Sequence, residues 1–137
     1  MVENVQGINY FQPPNLQAVW FINCDGKTVE STNTLSGGVA QRFAPFMVVA
    51  FGRDIQGVTD GPTISIGTNA PNYDDVMAAT DLGTGLIATN KAFTRVIGLG
   101  VNLPDASTDL VLRVRATASG GTTYLFDVLL IGLASTV

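Results

Sequence analysis

A chain of 137 residues has the size of one domain and can bury a sizeable core without disulfides or metal. Charged residues make up 13% of it, against about 25% in an ordinary soluble domain, and the net charge is −4 with no basic run, which excludes an electrostatic footprint for nucleic acid. There is no histidine, so the commonest general base and transition-metal ligand are both missing, and a single cysteine, Cys24, excludes an intrachain disulfide.

The N-terminal residues 1–17 are polar, with an aromatic knot at Tyr10-Phe11 and the pair Pro13-Pro14. Prolines impose an extended course and remove ladder donors, so the segment is predicted to be an arm reaching across a neighbour. It lacks the basic and apolar regions of a Sec-type leader. Residues 18–137 are expected to form a single β-sandwich domain. Fifteen Gly and six Pro spread along the chain suit short strands joined by tight turns, and no long helix is visible.

Gln17 to Asn23 reads as a short strand and Asp25-Gly26 as the turn after it, with Cys24 a small buried residue. Lys27 to Thr32 alternates in the manner of an exposed or edge strand. Ser36-Gly37-Gly38 is a loop. Arg42 to Phe51 is the first long apolar run, with a bulge or edge position expected at Pro45, and Asp54 to Pro62 reads as turn chemistry. No run reaches membrane length, and no membrane partner is expected.

Thr63 to Thr68 alternates cleanly and predicts a half-buried strand. Val76 to Ala79 follows as one short helical turn, capped by Asn72 or Asp74. Leu86 to Asn90 and Ala92 to Gly98 read as a strand pair or one bent strand. The closing stretch, Asp109 to Val137, predicts a β-hairpin: Leu110 to Thr117 alternates, Ser119-Gly120-Gly121 interrupts, and Tyr124 to Leu133 returns.

Register in such a hairpin decides which side chains share a face. A two-residue loop sets Asp127 opposite Val114; a three-residue loop sets it opposite Arg113. The second pairs opposite charges and gathers Leu112, Val114, Phe126, Val128 and Leu130 into a core face. The other face then carries Val111, Leu125, Leu129 and Ile131 beside charged residues, which predicts a cover over it, supplied either by another sheet layer or loop of the same chain or by a neighbouring subunit. Val111, Leu125, Leu129 and Ile131, with Tyr10 and Phe11 of the arm, are the candidate subunit or shell interface.

Chemistry-bearing motifs are sparse. Asp81-Leu82-Gly83-Thr84-Gly85 has the outline of an aspartic-protease turn, but that chemistry needs two aspartates sharing a proton and a hydroxyl residue where Leu82 stands. Asp74, Asp75 and Asp81 lack the spacing of a dedicated calcium site, and Gly98-Leu99-Gly100 lacks the third glycine of a dinucleotide loop. No enzymatic activity, cofactor or metal is expected. About eight short strands suggest an all-β antiparallel sandwich of the jelly-roll kind.

The stretch TISIGTNAPNYDDVMAA (Thr63 to Ala79) together with TTYLFDVLLIGLAS (Thr122 to Ser135) resembles small β-sandwich proteins of tailed-phage virions. That resemblance implies a homo-oligomer, commonly a trimer, and a cement or decoration role on the major capsid protein, with synthesis in the host cytoplasm and residence on the virion surface. The alternative it implies is a receptor-binding head of a tail fibre or spike. Such a head would recognise carbohydrate through the aromatic and acidic loop Asn72, Tyr73, Asp74 and Asp75.

Overall fold

The computed structural model describes residues 15–35, 42–97 and 109–135. These form eight strands: β1 (Asn15–Asp25), β2 (Ser31–Leu35), β3 (Arg42–Asp60), β4 (Thr63–Gly67), β5 (Met77–Asp81), β6 (Ala92–Val96), β7 (Leu110–Ala116) and β8 (Ser119–Ser135), with one 3-10 turn at Gly83–Gly85. They make two antiparallel four-stranded sheets, in the orders β1-β8-β3-β6 and β2-β7-β4-β5. The pairs β1 with β8, β2 with β7, β3 with β6 and β4 with β5 are those of one long folded ribbon rolled on itself. This is a jelly-roll sandwich, in agreement with the predicted class. Three strands are long, however: β1 has 11 residues, β3 has 19 and β8 has 17.

The predicted closing hairpin does not form. β7 pairs with β2 and β4, whereas β8 pairs with β1 and β3 in the opposite sheet. Gly120 and Gly121 are not a reversal; with φ of +72° and +66° they make an irregular start to β8 against Gln56–Asp60. A Cβ at Gly121 would strike the carbonyl of Gln56, so this close approach requires glycine. Asp127 accordingly faces Phe51, not Arg113, and Arg113 lies opposite Thr32 and Ser65.

Other departures have local causes. Residues 54–60 belong to β3, because the polar turn-like residues are absorbed by three register shifts between Gly52 and Asp60. The bulge expected at Pro45 lies between Pro45 and Met47. Met77–Asp81 is a strand and not a helical turn, since Ile64 and Ile66 supply it with ladder partners. Residues 86–90 form no strand, and the segment Ser36-Gly37-Gly38 falls outside the described residues, as does the arm before Asn15. Asn15–Gln17 themselves open β1, opposite Ala134–Gly132.

Between the sheets lies a core of aliphatic and aromatic side chains: Phe21, Val48, Ala50 and Ile55 of one sheet with Phe126, Val128 and Leu130, against Ile64, Ile66, Leu110, Leu112 and Val114 of the other. The predicted core set is therefore buried, but it is contributed by two facing sheets. Tyr124 is fully buried, meets Phe126 edge-on at 5.4 Å and donates its hydroxyl to the carbonyl of Leu86 at 2.6 Å.

Two outcomes follow. Tyr124→Phe leaves the Leu86 carbonyl without a donor in a dry site and costs about 1–3 kcal/mol in a denaturant titration. Val114→Asp, at 0% exposure, prevents folding, whereas Arg113→Asp on the opposite face leaves it intact. Near-UV circular dichroism checks both, and a folded Val114→Asp chain would overturn the face assignment.

Candidate functional site

The two sheets differ on their outer faces. In the β2-β7-β4-β5 sheet the segment 68–75 folds back over the strands. Ser65, which points outward, is nonetheless fully buried and donates to the carbonyl of Asn72 at 3.3 Å. Gly67 passes so close to Tyr73, Asp74 and Asp75 that no side chain fits there. Val111, paired with Gly67, is 4% exposed. Of the candidate interface residues, Val111 is therefore buried within the isolated chain.

That loop includes the candidate ligand residues, and its polar groups are turned on one another. Asp75 accepts from the backbone N–H and hydroxyl of Thr68, both at 2.6 Å. Asn69 Oδ1 accepts from the backbone N–H of Asp74 and Asp75, while its amide donates to Asp74 Oδ1 at 2.8 Å. Arg115 approaches Asp74 Oδ2 at 3.5 Å. Asn72 is exposed and Tyr73 half-buried, but the two carboxylates act as loop caps. Asp81 is used in the same way, accepting from the N–H of Gly83 at 2.8 Å ahead of the 3-10 turn.

The outer face of the β1-β8-β3-β6 sheet is apolar, and among the described residues no loop covers it. The register lays it out in rows: Leu16, Leu133 and Ala44; then Ala18, Ile131, Met47 and Val96; then Trp20, Leu129, Val49 and Thr94. Leu16 is 67% exposed, Trp20 50%, Val96 75% and Leu133 43%, and Ile22 in the β1 bulge is 62% exposed. Trp20 and Phe51 bridge the sheet with ring centroids 6.0 Å apart. Of the sequence-predicted interface residues, Leu129 and Ile131 lie within this face, half-buried between their neighbours. Leu125 lies beyond it, opposite Asp25 and Asp54; Tyr10 and Phe11 lie outside the described residues.

One margin of the face is polar. Arg53 Nη2 and Nε bind Asp127 at 3.0–3.2 Å, and Asp127 Oδ1 also accepts from the N–H of Asn23 at 2.8 Å. The hydrogen bonds and charge of Asp127 push the Arg53 guanidinium further above its ordinary range. Asn23 has φ of +56°, so the carboxylate pins the irregular part of β1 to β8 and β3. Sequence reasoning missed β1 and β3 as contributors to the face. Alternation in Leu16, Ala18 and Trp20 carried the signal, but it could equally have marked core positions.

Beneath the face, Cys24 is fully buried, and burial, then the nearby charge of Asp127, push its thiol up to about 12. Among the described residues, no three His, Cys, Asp or Glu side chains are grouped so as to hold a metal ion. What the arrangement supplies is a broad non-polar contact surface on a rigid sheet, able to gain about 1.5–3 kcal/mol for each large side chain fully withdrawn from water.

The fold and this surface define the class: a jelly-roll sandwich with one sheet face self-covered and the other open and apolar. No protein-family model and no curated protein sequence matches the chain. Among solved structures it is similar to a chain of the cyanophage Pam1 capsid asymmetric unit, with a TM-score of 0.48 and 15% identity over 89% of this chain and 86% of that one. It is also similar to the coat protein of tobacco streak virus, with a TM-score of 0.35 and 14% identity over 90% of each chain.

Two chemical outcomes test the site's assignment. The native chain resists thiol alkylation at about pH 8, whereas the unfolded chain reacts at an ordinary rate. Asp25 is raised by burial, but the N–H groups of Lys27 and Thr28 and the Thr28 hydroxyl outweigh this and hold it below the usual carboxylate range. Its stabilising effect is therefore present above the unfolded pKa and lost as pH falls through the folded one. Asp25→Asn destabilises the chain at neutral pH, and the difference from the parent disappears in acid melts.

Proposed function

We propose that this protein is a non-enzymatic structural subunit of a virion, a cement or decoration protein that binds across junctions in a capsid shell. The observation that carries the reading is the open apolar face of the β1-β8-β3-β6 sheet, with Trp20, Leu16, Val96 and Leu133 standing in solvent. A contiguous apolar face of this kind marks an interaction surface, and a shell subunit uses it to bury area that would have to be re-exposed for the shell to open. Repetition over a shell makes modest individual contacts collectively strong.

The alternative is a receptor-binding head, for which the aromatic platform would have to be Trp20 and Phe51 beside Asn23 and Asp127, since the carboxylates of the 72–75 loop are engaged within the loop. Quantitative mass spectrometry of purified particles separates the two. A copy number near parity with the major shell protein supports decoration; a small fraction of it supports a tail or vertex position and sinks the first reading. Leu129→Asp keeps the fold, because the side chain points away from the core, and abolishes association with particles in co-sedimentation.

A further inference from the structure

We infer that β1 is a pairing edge for a second copy of this chain, joining two sandwiches in an antiparallel β1-to-β1 ladder about a two-fold axis. Among the described residues each sheet leaves two strand edges, and β2, β5 and β6 are each five residues long. β2 reads STNTL, β5 ends in Asp81, and β6 carries Arg95; short length, polarity and charge are how natural sheets blunt their edges.

β1 has none of these devices from Asn15 to Phe21. It is 11 residues long, holds no proline, lysine or arginine, and meets its first charge only at Asp25. Its bulge lies between Phe21 and Cys24, at the far end. Among the described residues its one ladder partner is β8. The occupant such an edge selects is another extended strand, because only a strand satisfies a row of backbone donors and acceptors at once.

The side chains specify which strand and which register. Pairing must keep outward residues opposite outward residues, so in a two-fold arrangement the paired numbers sum to an even value. Centring on Val19 sets Leu16 against Ile22 and Ala18 against Trp20, joining the exposed aliphatics and matching the smallest side chain to the largest. Centring on Ala18 instead leaves two alanines facing each other between Leu16–Trp20 pairs, and gives Ile22 no partner among the described residues. The first register also makes the apolar outer faces of the two copies continuous. A two-fold ladder yields a dimer, in place of the trimer that the family resemblance implies.

The test is sedimentation velocity on the full chain, with three variants. The parent should sediment as a dimer. Ala18→Lys/Trp20→Lys, which sets lysine against lysine twice, should give a folded monomer with dimer affinity reduced at least about 100-fold, as several kcal/mol of like-charge juxtaposition implies. Val19→Cys should form a disulfide-linked dimer on mild oxidation, since directly opposed Cα atoms lie about 4.5–5.5 Å apart, within disulfide range. Leu16→Cys should not, its copies being roughly 20 Å apart in this register. A parent that stays monomeric at its highest soluble concentration, a trimer, a dimer that survives the double lysine change, or crosslinking at position 16 in place of 19 would each overturn the proposal. Pairing by the chain's own residues 1–14 would appear as the monomeric outcome. The inference goes beyond shell binding and fails separately from it, because the oligomeric state is read on the isolated chain and particle association by co-sedimentation with shells.

Discussion

The structure turns on the corner where a paired ribbon leaves one sheet and enters the other. β3 and β8 run together as far as Asp60 opposite Ser119, and β4 and β7 resume the pairing at Thr63 opposite Ala116. Both chains bend at the same place, over Gly61-Pro62 and Thr117-Ala118. The bend is held by backbone bonds from Gly26 to the Tyr124 carbonyl, from Ala118 to the Gly26 carbonyl, from Gly61 to the Gly83 carbonyl and from Leu82 to the Pro62 carbonyl, all at 2.7–2.9 Å. Gly26 is pressed against the Tyr124 ring and Pro62, where a Cβ would lie 2.7–2.8 Å from each, so the turn after β1 must be glycine for the corner to close. Tyr124 fills the corner from inside and ties it to Leu86. If this corner opened, the two sheets would share no core.

That corner also explains what the sequence could and could not reveal. The alternation of Leu110, Leu112 and Val114, and of Tyr124, Phe126, Val128 and Leu130, correctly separates buried from outward positions. Strand periodicity encodes the face a residue occupies but not the sheet it belongs to. Two strands that face each other across a core give the same pattern as two that pair side by side, and Gly120-Gly121 resembles a turn whether it reverses a chain or bulges it. Asp127 shows the consequence: its true partner, Arg53, sits 74 residues away on a strand whose second half resembled a loop. Likewise Asn69, Thr68 and Arg115 were not seen as the partners of Asp74 and Asp75, because contacts across a fold-back leave no periodic trace.

The low charge of the chain has a structural counterpart. A sandwich has two outer faces, and here they are treated differently. On one, a loop of the same chain folds over the strands and buries Ser65, and its carboxylates are engaged by Thr68, Asn69 and Arg115. On the other there is no loop among the described residues, and the outward positions of three long strands are mostly Leu, Ile, Val, Met, Trp, Phe and Ala, ending at Asp127. Reading Leu129 and Ile131 as outward was possible from β8 alone. Recognising that Leu16, Trp20, Val49 and Phe51 extend the same surface required the order β1-β8-β3, which only the tertiary structure supplies.

Size sets how such a face can act. Four strands about 4.8 Å apart and side-chain rows about 6.8 Å apart give a surface of roughly 400 Å², within the range of the largest patch on an ordinary monomer and about half of what one partner contributes to a standard interface. One face alone is therefore a weak contact. The proposed joining of two copies along β1 would lay two such surfaces side by side, bringing the combined face to about the standard contribution while pairing an edge that has no second partner among the described residues. The same strand thus links the two problems that the chain leaves open in isolation. Leu16, Ala18 and Trp20 supply the outward face, the backbone between them supplies the ladder, and the Arg53–Asp127 pair with the Asn23 N–H fixes where pairing must stop.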